Sequence, residues 1–227
     1  MNEDVRKYIA EFVGTFALVF IGTAVAATQG GSGSAGLIMV SCAFGGTLAV
    51  QVLVIGPISG CHLNPAVTIP MVLSGRLKGS LAPGYIIAQF LGGIAASVVL
   101  LLLLKGLKGG YDPSVGGGLA ANGNPLEMSQ LHLFGWEVVL TALFLFTIFS
   151  ATRPNFTGGF HAIAIGGYLF LAHLVGAQFG DSSLNPARSF GPAIVSGQGT
   201  NVLWVFLVAP VVGGILGWLI YKVIYAD

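Results

Sequence analysis

Leu63-Asn64-Pro65-Ala66-Val67 and Leu184-Asn185-Pro186-Ala187-Arg188 repeat one phrase at an offset of 121 residues. Asn directly before Pro is a strong helix start. The Asn side chain accepts from unpaired N–H groups of the first turn, and Pro at the first helical position gives up an N–H that has no partner there. Past each start the chain stays apolar for about ten residues, or about 15 Å of helix, half the hydrocarbon thickness of a bilayer. Each piece is therefore expected to be a re-entrant half-helix, not a crossing.

A membrane is the right solvent for that reading. The 227 residues are 55% hydrophobic and 7% charged, with 35 glycines and a mean hydropathy of +0.88. Soluble domains carry about 25% charged residues, so the chain is an integral membrane protein. A formal charge of +1 gives no electrostatic reason to expect a nucleic-acid partner. Cys42 and Cys61 form neither a disulfide nor a metal spacing and read as small buried hydrophobes. No metal or cofactor is expected. The start, Met1 through Lys7, leads into an apolar run too long for a signal peptide and without a clear cleavage motif, so it reads as the first span.

At about 20 residues per crossing, six spans are expected at 5–27, 35–56, 82–104, 131–152, 160–179 and 201–224. The halves resemble each other beyond the Asn-Pro-Ala phrase. Glu11 through Phe20 parallels Glu137 through Phe146, and Gly92-Gly93 recurs as Gly213-Gly214 at the same 121-residue offset. Three spans per half is an odd number, so the second copy must be inverted, an arrangement that brings discontinuous helices to the midplane. The fold class expected is all-α, six transmembrane helices plus two re-entrant half-helices. Residues 1–108 make the first repeat, 109–130 a connecting loop on the outer face, and 131–227 the second repeat. Arg6, Lys7, Arg76, Lys78, Arg153 and Lys222 fall on the side of the termini and Lys105 and Lys108 on the other. That asymmetry favours cytoplasmic termini, and the expected location is a cell (inner) membrane. It also argues against use of the Asn155-Phe156-Thr157 glycosylation sequon. Small residues four apart, among them Ala88, Gly92 and Ala96, or Gly213 and Gly217, mark faces for close helix contact.

Non-helical backbone at membrane depth must line a wet cavity or be covered by protein. Gly60-Cys61-His62-Leu63 and Asp181-Ser182-Ser183-Leu184 each lead into a half-helix, so their carbonyls should line a water-filled path from opposite sides. At its centre Asn64 and Asn185 would supply N–H donors beside two positive helix ends. Arg188 has Val67 as its counterpart, and an arginine at this depth points to a wet cavity. The residues leave two roles open for Glu11 and Glu137, a proton relay or acceptors for re-entrant N–H groups. His161 reads as an interfacial histidine.

The stretches Ile58 through Thr68 and Ser183 through Ser189 resemble those of the aquaporin (major intrinsic protein) family, and the similarity covers nearly the whole chain, the 109–130 loop least. The resemblance implies a right-handed bundle, a pore in each protomer, usually a homotetramer, and no enzyme chemistry. It implies a selectivity filter of Phe44, His173, Ser182 and Arg188, and a loop-supporting role for Glu11 and Glu137. His173 stands twelve residues before Asn185, as in water-selective members. His173, Ser182, Ser189 and Ala193 all differ from the residues usual in glycerol-conducting relatives. Ser182 replaces the Thr or Cys common in water channels, and Leu207 stands where they usually carry Trp. The expected function is a passive channel for single-file water, excluding protons and ions, with water as substrate and the bilayer as surroundings. A facilitator for glycerol or small neutral solutes is the alternative, and a junctional or scaffolding membrane protein the remote one.

Overall fold

Inside hydrocarbon a chain must satisfy its own N–H and C=O groups, which selects helices. In the computed structural model, residues 1–29, 33–114, 118–154, 156, 159–177 and 182–225 are described, and among them no strand occurs. The helices run α1 Glu3–Gln29, α2 Gly33–Ser59, α3 Pro65–Leu73, α4 Ala82–Leu104, α5 Gln130–Ala151, α6 His161–Gly176, α7 Pro186–Ser196 and α8 Leu203–Ile224. A short 3-10 turn, Gly79–Leu81, leads into α4. Five of them, α1, α2, α4 with its lead-in, α5 and α8, are long and apolar enough to cross a bilayer. The sixth crossing, α6, is shorter at 16 residues.

The sequence placed this crossing at 160–179, but the helix stops at Gly176. A side chain there would meet Ser182 Cβ at 2.5 Å, because the segment before α7 lies directly on it. Asp181 and two members of the sequon, Asn155 and Thr157, lie outside the described residues. Helix α2 runs further than its apolar stretch suggested, through Pro57 to Ser59. The half-helices have 9 and 11 residues, about 14 and 17 Å at 1.5 Å per residue. Neither can cross.

The packing obeys one exchange rule. Helix α1 lies against α2 and α4, α5 against α6 and α8, and α2 against α6, while α4 holds α7 and α8 holds α3. Replacing each first-half helix by its second-half equivalent returns the same set. The last long helix of each half thus grips the half-helix of the other.

Paired glycines make that grip possible. A Cβ at Gly92 would lie 2.6 Å from Phe12 O on α1, and one at Gly93 2.5 Å from Ala187 O on α7. In the other half, Gly213 would meet Val138 O on α5 at 2.4 Å, and Gly214 would meet Ala66 O on α3 at 2.4 Å. Each obstacle is backbone, which cannot rotate aside. Gly214→Ala should therefore cost about 1–3 kcal/mol, the usual penalty of overpacking. It should lower the thermal unfolding midpoint in detergent. Gly46→Ala, at a helical site with nothing within 4 Å, serves as the control. Equal midpoints for the two variants would refute the tight α3–α8 contact.

Candidate functional site

The two re-entrant loops reach the middle of the bundle under strain. Leu63 and Leu184 hold the left-handed backbone at φ 51 and 56, as does Cys61 at φ 54. For non-glycine residues such a conformation costs of order 1–3 kcal/mol and persists only where surroundings impose it. Here two buried carboxylates impose it. Glu11 accepts from His62 N at 2.9 Å and Ser59 Oγ at 2.7 Å through one oxygen, and from Leu63 N and Gln89 Nε2, both at 2.7 Å, through the other. Glu137 accepts from Ser183 N at 2.7 Å and Leu184 N at 2.9 Å. The N–H groups of His62, Leu63, Ser183 and Leu184 are thereby satisfied, while among the described residues no backbone N–H donates to the carbonyls of Gly60, Cys61, His62, Ser182 or Ser183.

At the loop ends Asn64 and Asn185 divide their amides between two tasks. Asn64 Oδ1 accepts from Ala66 N at 2.8 Å, and Asn185 Oδ1 accepts from Ala187 N at 3.0 Å and Arg188 N at 3.3 Å. Each oxygen caps its own half-helix. The nitrogens cross to the opposite loop: Asn64 Nδ2 donates to Leu184 O at 2.7 Å and Asn185 Nδ2 to Leu63 O at 2.9 Å. Each NH2 has two hydrogens, so one donor per amide remains beyond this exchange.

Those donors border a narrow passage of about 20 Å³ lined by Phe44, His62, Asn64, His173, Asn185 and Arg188, with Leu18, Leu48, Phe144 and Leu169 as its apolar wall. One water needs roughly 10–15 Å³, so occupancy is single file. Toward the side of the termini it widens to a cavity of about 370 Å³ bordered by Cys61, His62, Val67 and His161. His62 borders both spaces, and its Nδ1 lies 3.2 Å from Thr68 Oγ1.

Toward the other face three side chains close together. The Phe44 and His173 rings stack with centroids 4.4 Å apart, and the Arg188 guanidinium carbon sits 4.9 Å from the Phe44 centroid. His173 Nδ1 lies 2.9 Å from Leu169 O. A carbonyl only accepts, so Nδ1 carries a proton, and in the neutral ring Nε2 is then the acceptor; no described residue partners Nε2. Ser182 takes another direction, its hydroxyl donating to Ala172 O at 3.3 Å. Arg188 Nη1 donates to Ala120 O at 2.9 Å and Asn122 Oδ1 at 2.6 Å.

Sequence reasoning missed Asn122, Gln89 and Thr68. A lone Gln within an apolar span was a readable signal for Gln89. Nothing in spacing or pattern marked Asn122, which comes from the connecting loop.

Residues 1–221 match the family described as Major intrinsic protein. The chain is 42% identical to Aquaporin Z of Rhodopseudomonas palustris, with 97% of this chain and 94% of that protein covered. It is also 42% identical to Aquaporin Z of Bradyrhizobium diazoefficiens, covering 96% and 93%. Among solved structures, the aquaglyceroporin from Plasmodium falciparum has a TM-score of 0.84 at 27% identity, covering 98% of this chain and 97% of that one.

Proposed function

Because the chain belongs to the major intrinsic protein family, we propose that it is a passive water channel that carries water in single file and excludes protons and ions. The observation that carries this reading is the crossed exchange at the centre, where two helix starts aim their remaining amide donors at one narrow passage.

A water in that passage accepts hydrogen bonds from Asn64 and Asn185 through its oxygen. Its hydrogens then face outward along the file, toward the loop carbonyls on either side. A hydronium or cation meets the positive ends of α3 and α7 there, and Arg188 before them. No bond is made or broken, so the chain acts as a conduit for osmotic flow and not as an enzyme.

Phe44, His173 and Arg188 form the filter. Phe44 and the His173 ring close the aperture, while Arg188 N–H groups and His173 Nε2 replace the hydration that water loses on entry. Ser182 belongs to this ring by resemblance, its side chain held on α6 and its backbone toward the pore. Gly60, Cys61, His62, Leu63, Ser182, Ser183 and Leu184 supply the carbonyl rail. Glu11 and Glu137 hold the two loops and do not carry protons. The halves 1–108 and 131–227 are inverted repeats joined through 109–130. The chain works as a homotetramer in a cell (inner) membrane with cytoplasmic termini, the orientation that its basic residues favour.

Purified protein in liposomes, shocked osmotically and followed by light scattering, tests the assignment. Water efflux should rise about tenfold or more over empty liposomes, with glycerol uptake near the lipid background, as expected of a one-water aperture. Fast glycerol uptake with ordinary water flux would transfer the assignment to a glycerol facilitator, the reading that Leu207 favours.

A further inference from the structure

The connecting loop reaches back into the filter at one residue. Asn122 is only 2% exposed although it comes from a polar loop, and its neighbour Leu119 is fully buried beside Leu100 and Leu104. Ala120 holds the left-handed region at φ 56 and Gly118 at φ 59. Tyr111 Oη donates to Gly118 O, fastening the loop to itself. The turn between α7 and α8 presses on its end, where a Cβ at Gly199 would lie 2.1 Å from Asn122 O.

The side-chain oxygen of Asn122 takes two donors from successive residues of α7. Arg188 Nη1 lies 2.6 Å away and Ser189 Oγ 2.7 Å away. A guanidinium can only donate, so the Asn122 atom facing it must be the oxygen. Ser189 must then also donate, which spends its one proton. Ser183 Oγ, in contact with Ser189 Oγ, donates to Asn185 O at 2.9 Å and accepts from Asn185 N at 3.1 Å. Asn185, Ser183, Ser189 and Asn122 thus form one hydrogen-bonded cluster, at which the Arg188 guanidinium also ends.

In the first half the equivalent tether comes from a helix and not from the connecting loop: Thr68, where Ser189 stands, donates to Asn64 O at 3.1 Å and accepts from Gln89 Nε2 on α4 at 2.9 Å.

We propose that Asn122 is a specificity-determining positioning residue, whose amide oxygen fixes the reach of Arg188 into the filter and ties it to the second re-entrant loop. This rests on the water-channel reading and deepens it. Without that acceptor the Arg188 head loses its side-chain anchor in the connecting loop and swings over a wider arc. The aperture then admits solutes broader than water.

The experiment is reconstitution of full-length protein with water efflux, glycerol uptake and urea uptake measured in parallel. Asn122→Ala should raise both solute-to-water permeability ratios about tenfold, the scale of one lost hydrogen bond to a charged group. Asn122→Asp, which keeps an acceptor oxygen in the same place, should return both ratios to within about twofold of the parent, the spread expected when that hydrogen bond is retained. Tyr111→Phe loosens the same loop without touching Arg188 and should leave the ratios as they were. Should Asn122→Ala fail to reconstitute, Asn122→Ser, too short to reach both donors, replaces it with the same expected rise. Unchanged ratios in the Ala or Ser variant overturn the proposal. So does a leak in Asn122→Asp equal to that of Asn122→Ala, or an equal leak in Tyr111→Phe. If the parent protein itself conducts no water, the channel reading fails instead, which the parallel measurement on the parent separates from failure of Asn122.

Discussion

Arg188→Val combined with His173→Ala should raise glycerol permeability relative to water about a hundredfold, which corresponds to roughly 2.7 kcal/mol of lost barrier. The expectation follows from how Phe44, His173 and Arg188 share one small space. The His173 ring lies 4.4 Å from Phe44 and the Arg188 guanidinium 4.9 Å from it, so each limits the room left by the others. Removing the imidazole opens the wall. Removing the guanidinium deletes both bulk and the positive potential that stands before the half-helix ends. Proton leak, followed with a trapped pH-sensitive dye, should rise in the same variant. The single variant Arg188→Val should show the larger share of that leak, since it removes the fixed positive charge. A double variant that keeps the parent's glycerol-to-water ratio would remove these residues from the filter.

Glu11→Ala should destabilise the fold by about 3–5 kcal/mol, the range for removing one partner of a buried charged network. The substitution strands four donors at once: Ser59 Oγ, His62 N, Leu63 N and Gln89 Nε2. Two of these are the N–H groups that hold Leu63 in its strained backbone, so the first re-entrant loop should relax and the pore close with it. Glu11→Gln puts an amide nitrogen against one pair of donors and should fall between parent and Ala variant. Thermal unfolding in detergent and yield of monodisperse protein give the readout. If Glu11→Ala unfolds at the parent's temperature, the carboxylate is not what holds the loop. If Glu11→Gln folds like the parent yet loses pH-driven uptake, the acid is a proton relay.

The sequence announced those features that depend on local chemistry or on repetition. Asn64-Pro65 and Asn185-Pro186 are helix starts because capping needs only an amide and a missing N–H, and both half-helices begin at the proline as read. Gly92-Gly93 and Gly213-Gly214 stood out through their shared offset, and each pair faces two helix backbones. Glu11 and Glu137 were visible as acids at equivalent depth, with their partners still open between two roles. Helix ends were less legible. Helix α6 ends at Gly176, short of the reading, and the Ser182 contact that this glycine admits comes from later in the chain. Asn122 was invisible for the same reason. It is an ordinary loop residue by composition, and its distinction comes from two donors 66 and 67 positions away.

The crossed amide bonds, Asn64 to Leu184 and Asn185 to Leu63, carry a consequence for biogenesis. A nascent chain that has delivered only α1 through α4 to the bilayer owns one donor and one acceptor but neither counterpart. Its half-helix lacks α8, against which it packs most extensively and which has yet to be synthesised. Any aqueous thread must wait for the final segments to arrive and lock both ends in one event. The cell's ion gradients are thereby spared a half-built hole while the protein is still leaving the ribosome.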